Sequence, residues 1–340
     1  MRTLAFLGLF VCAAAGAETS LDWTNTIAND GRHNAFTDLV RWHDQYYVCF
    51  RHAESHMSMD GEIRVLRSAD MKAWEPCGVL DTFGDDRDPH FVVANDTLCV
   101  YFGTWDLRHA AGNGLPDRGS VRTYFATSTD GSNWSKVQGV YEPGWWLWRV
   151  RWHDGAFYSA AYTASRPKPD FRETRLLRSE DGLNWTLVSV ALRERMAGEA
   201  DLLFPPDGSV RMLTRTNEGT GTALWLQSDP ARQQWTTKDA GVLVHAPVFA
   251  SWKDRLFLAG RAKVEKNSVT KVWEVKGDEL VELITLPSAG DTSYPGLMAD
   301  PASLDGDVPA LLVTWYSQHE NKEDDRKAAS VYAAHLTVKP

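Results

Sequence analysis

Cysteine is scarce: the 340 residues hold four, and one of these, Cys12, falls in a leader described below. The remaining Cys49, Cys77 and Cys99 permit one disulfide at most, so this is not a cross-linked scaffold. Basic charge is also in deficit. The formal net charge is −9, which argues against a nucleic-acid partner and offers no basic patch to a membrane. No stretch beyond the first seventeen residues is apolar enough for a membrane span, and no segment sustains the periodicity of an amphipathic helix. The ten histidines show no close pairing on one element, and His43 and His153 fall in hairpin turns. Neither a metal nor another cofactor is expected.

What is present begins with a leader. Met1–Ala17 carries one arginine, an apolar run from Leu4 to Ala15, and the small residues Ala15-Gly16-Ala17 before Glu18. That is the pattern of a cleaved secretory signal. Residues 18–340 are then predicted to be one soluble, exported domain, secreted or periplasmic and monomeric. It is long enough for one large core.

The domain is organised around a repeat. Ser128-Thr129-Asp130-Gly131-Ser132-Asn133-Trp134 recurs as Ser179-Glu180-Asp181-Gly182-Leu183-Asn184-Trp185. Worn copies are Ser68-Ala69-Asp70 with Trp74 and Ser228-Asp229 with Trp235. A period near ~50 residues marks a repeat architecture. Each copy suits a hairpin turn: Ser and Asp oxygens accept backbone N–H groups, Gly takes positive φ, and Trp packs beneath. These boxes are therefore read as fold rather than site.

A second landmark recurs six times, a short strand, a turn and an apolar strand. The copies are Asp38–Arg51, Asp88–Phe102, Arg149–Tyr162, Glu199–Arg215, Pro247–Arg261 and Tyr294–Ser317. Four strands per repeat and six repeats predict an all-β, six-bladed β-propeller. The last repeat runs one strand short after Ser330–Val338, and Asp22–Ile27 is predicted to supply its outer strand and close the ring.

In a propeller the innermost strands line one axis, so residues at one phase of the repeat converge on one face. The inner-strand starts carry Asp38, Asp88, Arg149, Glu199, Pro247 and Tyr294. The returning second strands end at Arg51, Trp105, Tyr162, Arg215, Arg261 and His319-Glu320. So many carboxylates, arginines and aromatics in one concavity point to a ligand site.

These residues resemble the sialidase (neuraminidase) superfamily with Asp-box repeats, in particular uncharacterised bacterial exported sialidase-like proteins. The resemblance implies a glycan substrate and an exo-glycoside hydrolase acting on an acidic sugar. Tyr294, in Asp291-Thr292-Ser293-Tyr294, is similar to the family's nucleophile. Glu199 and Arg215, 16 apart across one hairpin, resemble its base and a substrate-binding arginine. Arg261 resembles a second such arginine, Glu320 the glutamate that orients an arginine, and Asp60 the acid/base. The family's first blade opens Arg-Ile-Pro, where this chain has Asn34-Ala35-Phe36-Thr37, with Arg32 slightly early and Arg51 across the hairpin. The chemistry is coherent. Tyrosine needs an adjacent base to attack, and arginine grips a carboxylate in a planar fork.

Two other readings compete. Arg87-Asp88-Pro89 with Glu199 resembles the furanosidase propellers, with Asp38 as base or nucleophile, Glu199 as acid and Asp88 orienting. Alternatively, Trp145-Trp146-Leu147-Trp148 beside Arg149 offers stacking surfaces, Trp146 foremost, for a propeller that binds glycan without cleaving it.

Overall fold

The computed structural model describes residues 19–82, 84–111, 115–116, 121–164, 172–320 and 328–339; the leader lies outside them. Six four-stranded antiparallel sheets follow one another along the chain. Their inner strands are His33–Trp42, Asp85–Ala94, Trp145–His153, Ala197–Leu203, His245–Trp252 and Thr292–Ala299. Each inner strand touches the next, and the last touches the first, so the sheets form a closed ring of six blades.

Closure runs through both ends of the described chain. Thr19–Ala28 pairs antiparallel with Ser330–Val338 and becomes the outer strand of blade six. Asp22 accepts hydrogen bonds from the Thr337 hydroxyl and the His335 ring, and Asn25 reaches the Met71 and Lys72 carbonyls of blade one. An edge that would otherwise be open is thereby covered.

The apolar strand pattern follows from this stacking, because each blade is sandwiched between two others. Along Ala310–Ser317, Leu311, Val313 and Trp315 enter the core shared with blade five, while Leu312 enters the core shared with blade one. Similar clusters lie between the other neighbouring blades. A separate cluster of Phe36, Trp148, Tyr162, Ala246, Tyr294 and Tyr316 gathers at the centre.

The two well-preserved boxes form turns. The Gly131 N–H donates to Ser128 Oγ at 2.9 Å, and Ser132 and Asn133 N–H donate to Asp130 Oδ1 at 2.9 and 2.7 Å. The second box repeats these bonds from Gly182, Leu183 and Asn184. Gly131 and Gly182 sit at φ of 73° and 79°, which only glycine adopts without cost. Trp134 donates to the Cys77 carbonyl of blade one, tying neighbouring blades. Cys49, Cys77 and Cys99 are all free thiols.

Candidate active site

One backbone feature builds the site. In every inner strand, two residues oppose a single residue of the second strand at the same level. These six bulges hold Phe36-Thr37, Asp88-Pro89, Trp148-Arg149, Gly198-Glu199, Ala246-Pro247 and Tyr294-Pro295. A bulge re-aims side chains. Phe36, Asp88, Ala246 and Tyr294 accordingly adopt positive φ of 59°, 49°, 49° and 48°, a conformation non-glycine residues rarely take. Proline fits the second position in three blades because a bulged residue owes no ladder hydrogen bond.

Tyr294 and Glu199 meet across this ring. The Tyr294 hydroxyl donates to Glu199 Oε1 at 2.7 Å, and Arg215 Nη1 donates to the same oxygen at 2.6 Å. Arg215 Nη1 also stands 3.1 Å from the Tyr294 oxygen. Glu199 Oε2 accepts the N–H of the bulged Ala246 at 2.8 Å. Burial would raise the Glu199 pKa, but Arg215 and these hydrogen bonds outweigh it and hold the carboxylate below its ordinary value. Burial and the Glu199 charge push the phenol well above its own. A neutral phenol therefore stands against an ionised carboxylate.

Arg261 lies over the Tyr294 ring, its guanidinium carbon 4.7 Å from the centroid. Its Nε donates to the Thr292 carbonyl, and its Nη2 to Tyr316 Oη at 2.8 Å and to Asp291 Oδ1 at 3.2 Å. Asp291 is thus the carboxylate that positions Arg261. It also accepts Tyr316 Oη at 2.7 Å, and its Oδ2 faces His33 Nε2 at 3.0 Å and His56 Nδ1 at 2.6 Å. Burial opposes ionisation there, but these donors keep Asp291 well below the usual carboxylate range. His33, His56 and Asp291 are close enough to share a cation, their facing atoms lying within 4.8 Å. The nitrogen atoms already point at one carboxylate, however, and the Arg51, Arg87 and Arg261 side chains supply the neighbouring positive charge.

Asp88 is buried, and its Oδ1 has no hydrogen-bond partner among the described residues. Burial, with Glu199 adding to it against the pull of Arg87, raises the Asp88 carboxyl to about 7. Arg87 stacks on Phe36 and Trp105 at 4.9 and 4.6 Å. Phe36 takes the first-blade bulge and packs edge-on against Tyr294 and Tyr316 at 5.0 and 5.3 Å.

Other sequence-derived candidates lie elsewhere. Asp38 and Arg149 pair with each other at 2.9 Å, both buried, and Arg149 also donates to the Pro247 and Pro295 carbonyls. They plug the channel beneath the site. Arg51 is fully buried, its Nε bonded to Asp85 at 2.7 Å, so it cannot serve as a third exposed arginine. Trp146 is only 2% exposed and lies parallel to Tyr162, packed so closely on Gly103 that any Cβ there would overlap the indole. It offers no face for stacking. Glu320 accepts the Tyr332 hydroxyl, while Asp291 is the carboxylate bonded to Arg261. Asp60 lies on the rim in an ion pair with Arg32 and accepts Ser58 Oγ and the Glu54 N–H. Burial raises its pKa, but these contacts together outweigh it and hold the carboxyl below its ordinary value.

A scan against protein-family models and a search of curated proteins find no match. Solved structures do match. A Dyadobacter fermentans protein of unknown function superposes with a TM-score of 0.76 at 19% identity, covering 94% of this chain and 99% of that one. Trypanosoma rangeli sialidase, in complex with the inhibitor DANA, gives 0.66 at 11% identity and 94% coverage. This chain spans 59% of that sialidase. A thermostable family-43 glycoside hydrolase gives 0.52 at 12% identity, covering 76% of this chain and 95% of that one. At these identities the likeness is one of fold, and the fold is a propeller shared with glycoside hydrolases.

Proposed function

We propose that the protein is an exported exo-acting glycoside hydrolase that cleaves an acidic sugar through a tyrosine nucleophile. The observation that carries the reading is the 2.7 Å hydrogen bond from Tyr294 to Glu199 at the mouth of the propeller. A phenol is a weak nucleophile at neutral pH, and here burial weakens it further. Glu199 is placed to take the phenolic proton as the oxygen attacks the anomeric carbon. Arg215 contacts both partners and stabilises the charge that moves between them. Tyrosine nucleophiles are a recognised variant of the paired-carboxylate mechanism.

A neutral attacking group suits a substrate that already carries a carboxylate. Arg215 and Arg261 flank the Tyr294 ring and are the groups that would hold that anion. Phe36 fills the first-blade position with an apolar ring, so recognition there rests on two arginines and a hydrophobic wall. The furanosidase alternative loses its base, because Asp38 is sealed beneath the site on Arg149.

The test is a screen of released sugars from mixed acidic glycans, followed by Arg215→Lys and Arg261→Lys on the best substrate. Lysine cannot reproduce the bidentate fork, so either change should lower kcat/KM at least about tenfold on the carboxylated sugar. Equal activity on the neutral counterpart would contradict the reading.

A further inference from the structure

We infer that His33 and His56 are positioning residues, two fixed N–H donors that hold Asp291 and, through it, Arg261. The inference rests on the hydrolase reading for what Arg261 grips, and goes beyond it in naming what keeps Arg261 in place. The network begins at Asp85, a fully buried carboxylate of blade two. Its Oδ1 accepts Arg51 Nε at 2.7 Å, and its Oδ2 accepts Arg87 Nη1 at 3.0 Å. Each arginine then faces one histidine. Arg51 Nη1 stands 3.3 Å from His33 Nδ1, and Arg87 Nη2 stands 3.3 Å from His56 Nε2. The remaining nitrogens, His33 Nε2 and His56 Nδ1, face Asp291 Oδ2 at 3.0 and 2.6 Å.

A guanidinium only donates, so His33 Nδ1 and His56 Nε2 are acceptors and carry no hydrogen. The one hydrogen of each ring therefore lies on the nitrogen that faces Asp291. The two histidines are held in opposite tautomers, His33 as Nε2–H and His56 as Nδ1–H, and both donate to one carboxylate oxygen. Burial, aided by the Arg51 charge, holds the His33 pKa below its ordinary value against the pull of Asp291. The other Asp291 oxygen accepts Tyr316 Oη at 2.7 Å and Arg261 Nη2 at 3.2 Å. Rings without charge satisfy Oδ2 and leave Arg261 as the cation that balances Asp291.

Packing keeps both rings in register. His33 and His56 meet edge-on at 5.4 Å, and His56 stands edge-on to Phe36 at 5.6 Å. The Arg87 guanidinium is also tied to the His56 carbonyl at 3.0 Å. Blade one supplies His33, Arg51 and His56, blade two Asp85 and Arg87, blade five Arg261, and blade six Asp291 and Tyr316. The chain of contacts thus crosses the seam where the ring closes. Arg51 and Arg87, too buried to meet a ligand, act on recognition from behind.

Imidazole nitrogen NMR of the intact protein, assigned with His33→Gln and His56→Asn, reads the tautomers directly. It should find Nδ1 of His33 and Nε2 of His56 free of hydrogen. The opposite tautomer in either ring, which a cation shared with Asp291 would require, or hydrogen on both nitrogens, overturns the inference. Kinetics on 4-nitrophenyl glycosides of uronic and nonulosonic acids read the positioning role. An asparagine amide reaches where His Nδ1 stands and a glutamine amide where Nε2 stands, so His56→Asn keeps the donor to Asp291 and His56→Gln loses it. His56 is half exposed, and unchanged melting temperatures establish that its variants fold. His56→Ala and His56→Gln should raise KM on the order of tenfold with kcat within a few-fold of wild type, while His56→Asn stays near wild type. Equal loss in the Asn and Gln variants, or an unchanged KM in His56→Ala, would overturn the positioning role. No turnover by the wild type on any of these glycosides would remove the hydrolase reading, and the tautomers would still decide the network.

Discussion

Arg149 and Asp38, 111 residues apart, form a buried 2.9 Å ion pair across the propeller axis. Asp38 also accepts the Phe91 N–H, so blades one, two and three are joined below the site. Asp38→Asn would leave the Arg149 charge uncompensated in the interior. It should destabilise the protein by about 3–5 kcal/mol, the usual cost of breaking a buried pair from one side. Urea unfolding measures this. Catalytic efficiency per folded molecule should stay within a few-fold of wild type; loss of activity at full stability would instead make Asp38 a reacting group.

The box tryptophans carry a similar prediction for the opposite face. Trp134 and Trp185 are half-buried and each donates from Nε1, to the Cys77 and Gly182 carbonyls. Replacing either with alanine should cost about 2–4 kcal/mol through lost packing and an unmade hydrogen bond. KM should not move. A stable variant with weakened substrate binding would show that the boxes serve the ligand.

Two buried carboxyls withdraw stability as pH rises toward and through neutrality. Burial lifts Asp86 and Asp88 to about 7, despite the hydroxyls of Thr82 and Thr104 on Asp86 and the Arg87 charge near Asp88. Unfolded aspartate titrates near ~3.9, so between about 4 and 7 the native state binds more protons than the unfolded one. Stability from these two groups is therefore complete below that window and lost as pH climbs through it. Asp291 acts oppositely, since its lowered pKa protects the fold above the unfolded value and fails in acid. Burial holds His33, His90 and His245 below the ordinary histidine value, and they add stability as pH rises toward ~6.5. The carboxyl contribution is therefore read as a difference: between pH 5 and pH 8 the wild type should lose more stability, or gain less, than Asp86→Asn. Identical pH dependence in the two proteins would show the Asp86 carboxyl to be ionised in the native state.

The fold was legible because its signals are local and repeated. Ser-x-Asp-Gly turns mark blades two and three, a strand–turn–strand signal recurs in all six, and the spacing points to both the blade number and the missing outer strand at Thr19–Ala28. The site was legible where repeat phase alone decides position, which brought Tyr294, Glu199, Arg215 and Arg261 together. Elsewhere the bulges intervened. Each adds a residue to the inner strand, so Asp38, just past the bulge, pairs opposite Cys49 instead of facing the mouth as Tyr294 does. The available signal was proline inside a strand, at Pro89, Pro247 and Pro295, which marks a bulge and not merely a strand start. Asp291, the hub for Arg261, Tyr316, His33 and His56, carries no local signature at all. Only Tyr316 shares its hairpin; Arg261, His33 and His56 arrive from the neighbouring blades, and only the closed ring brings blade one beside blade six.

The central claim is that Tyr294 becomes covalently attached to the sugar. A fluorinated acidic glycoside with a good leaving group slows the second step and should leave the sugar on the enzyme. Peptide mass spectrometry should then find the added mass on the peptide containing Tyr294, and Tyr294→Phe should abolish it. Label on the Asp38 peptide, or an inverted product with no label anywhere, would contradict the account.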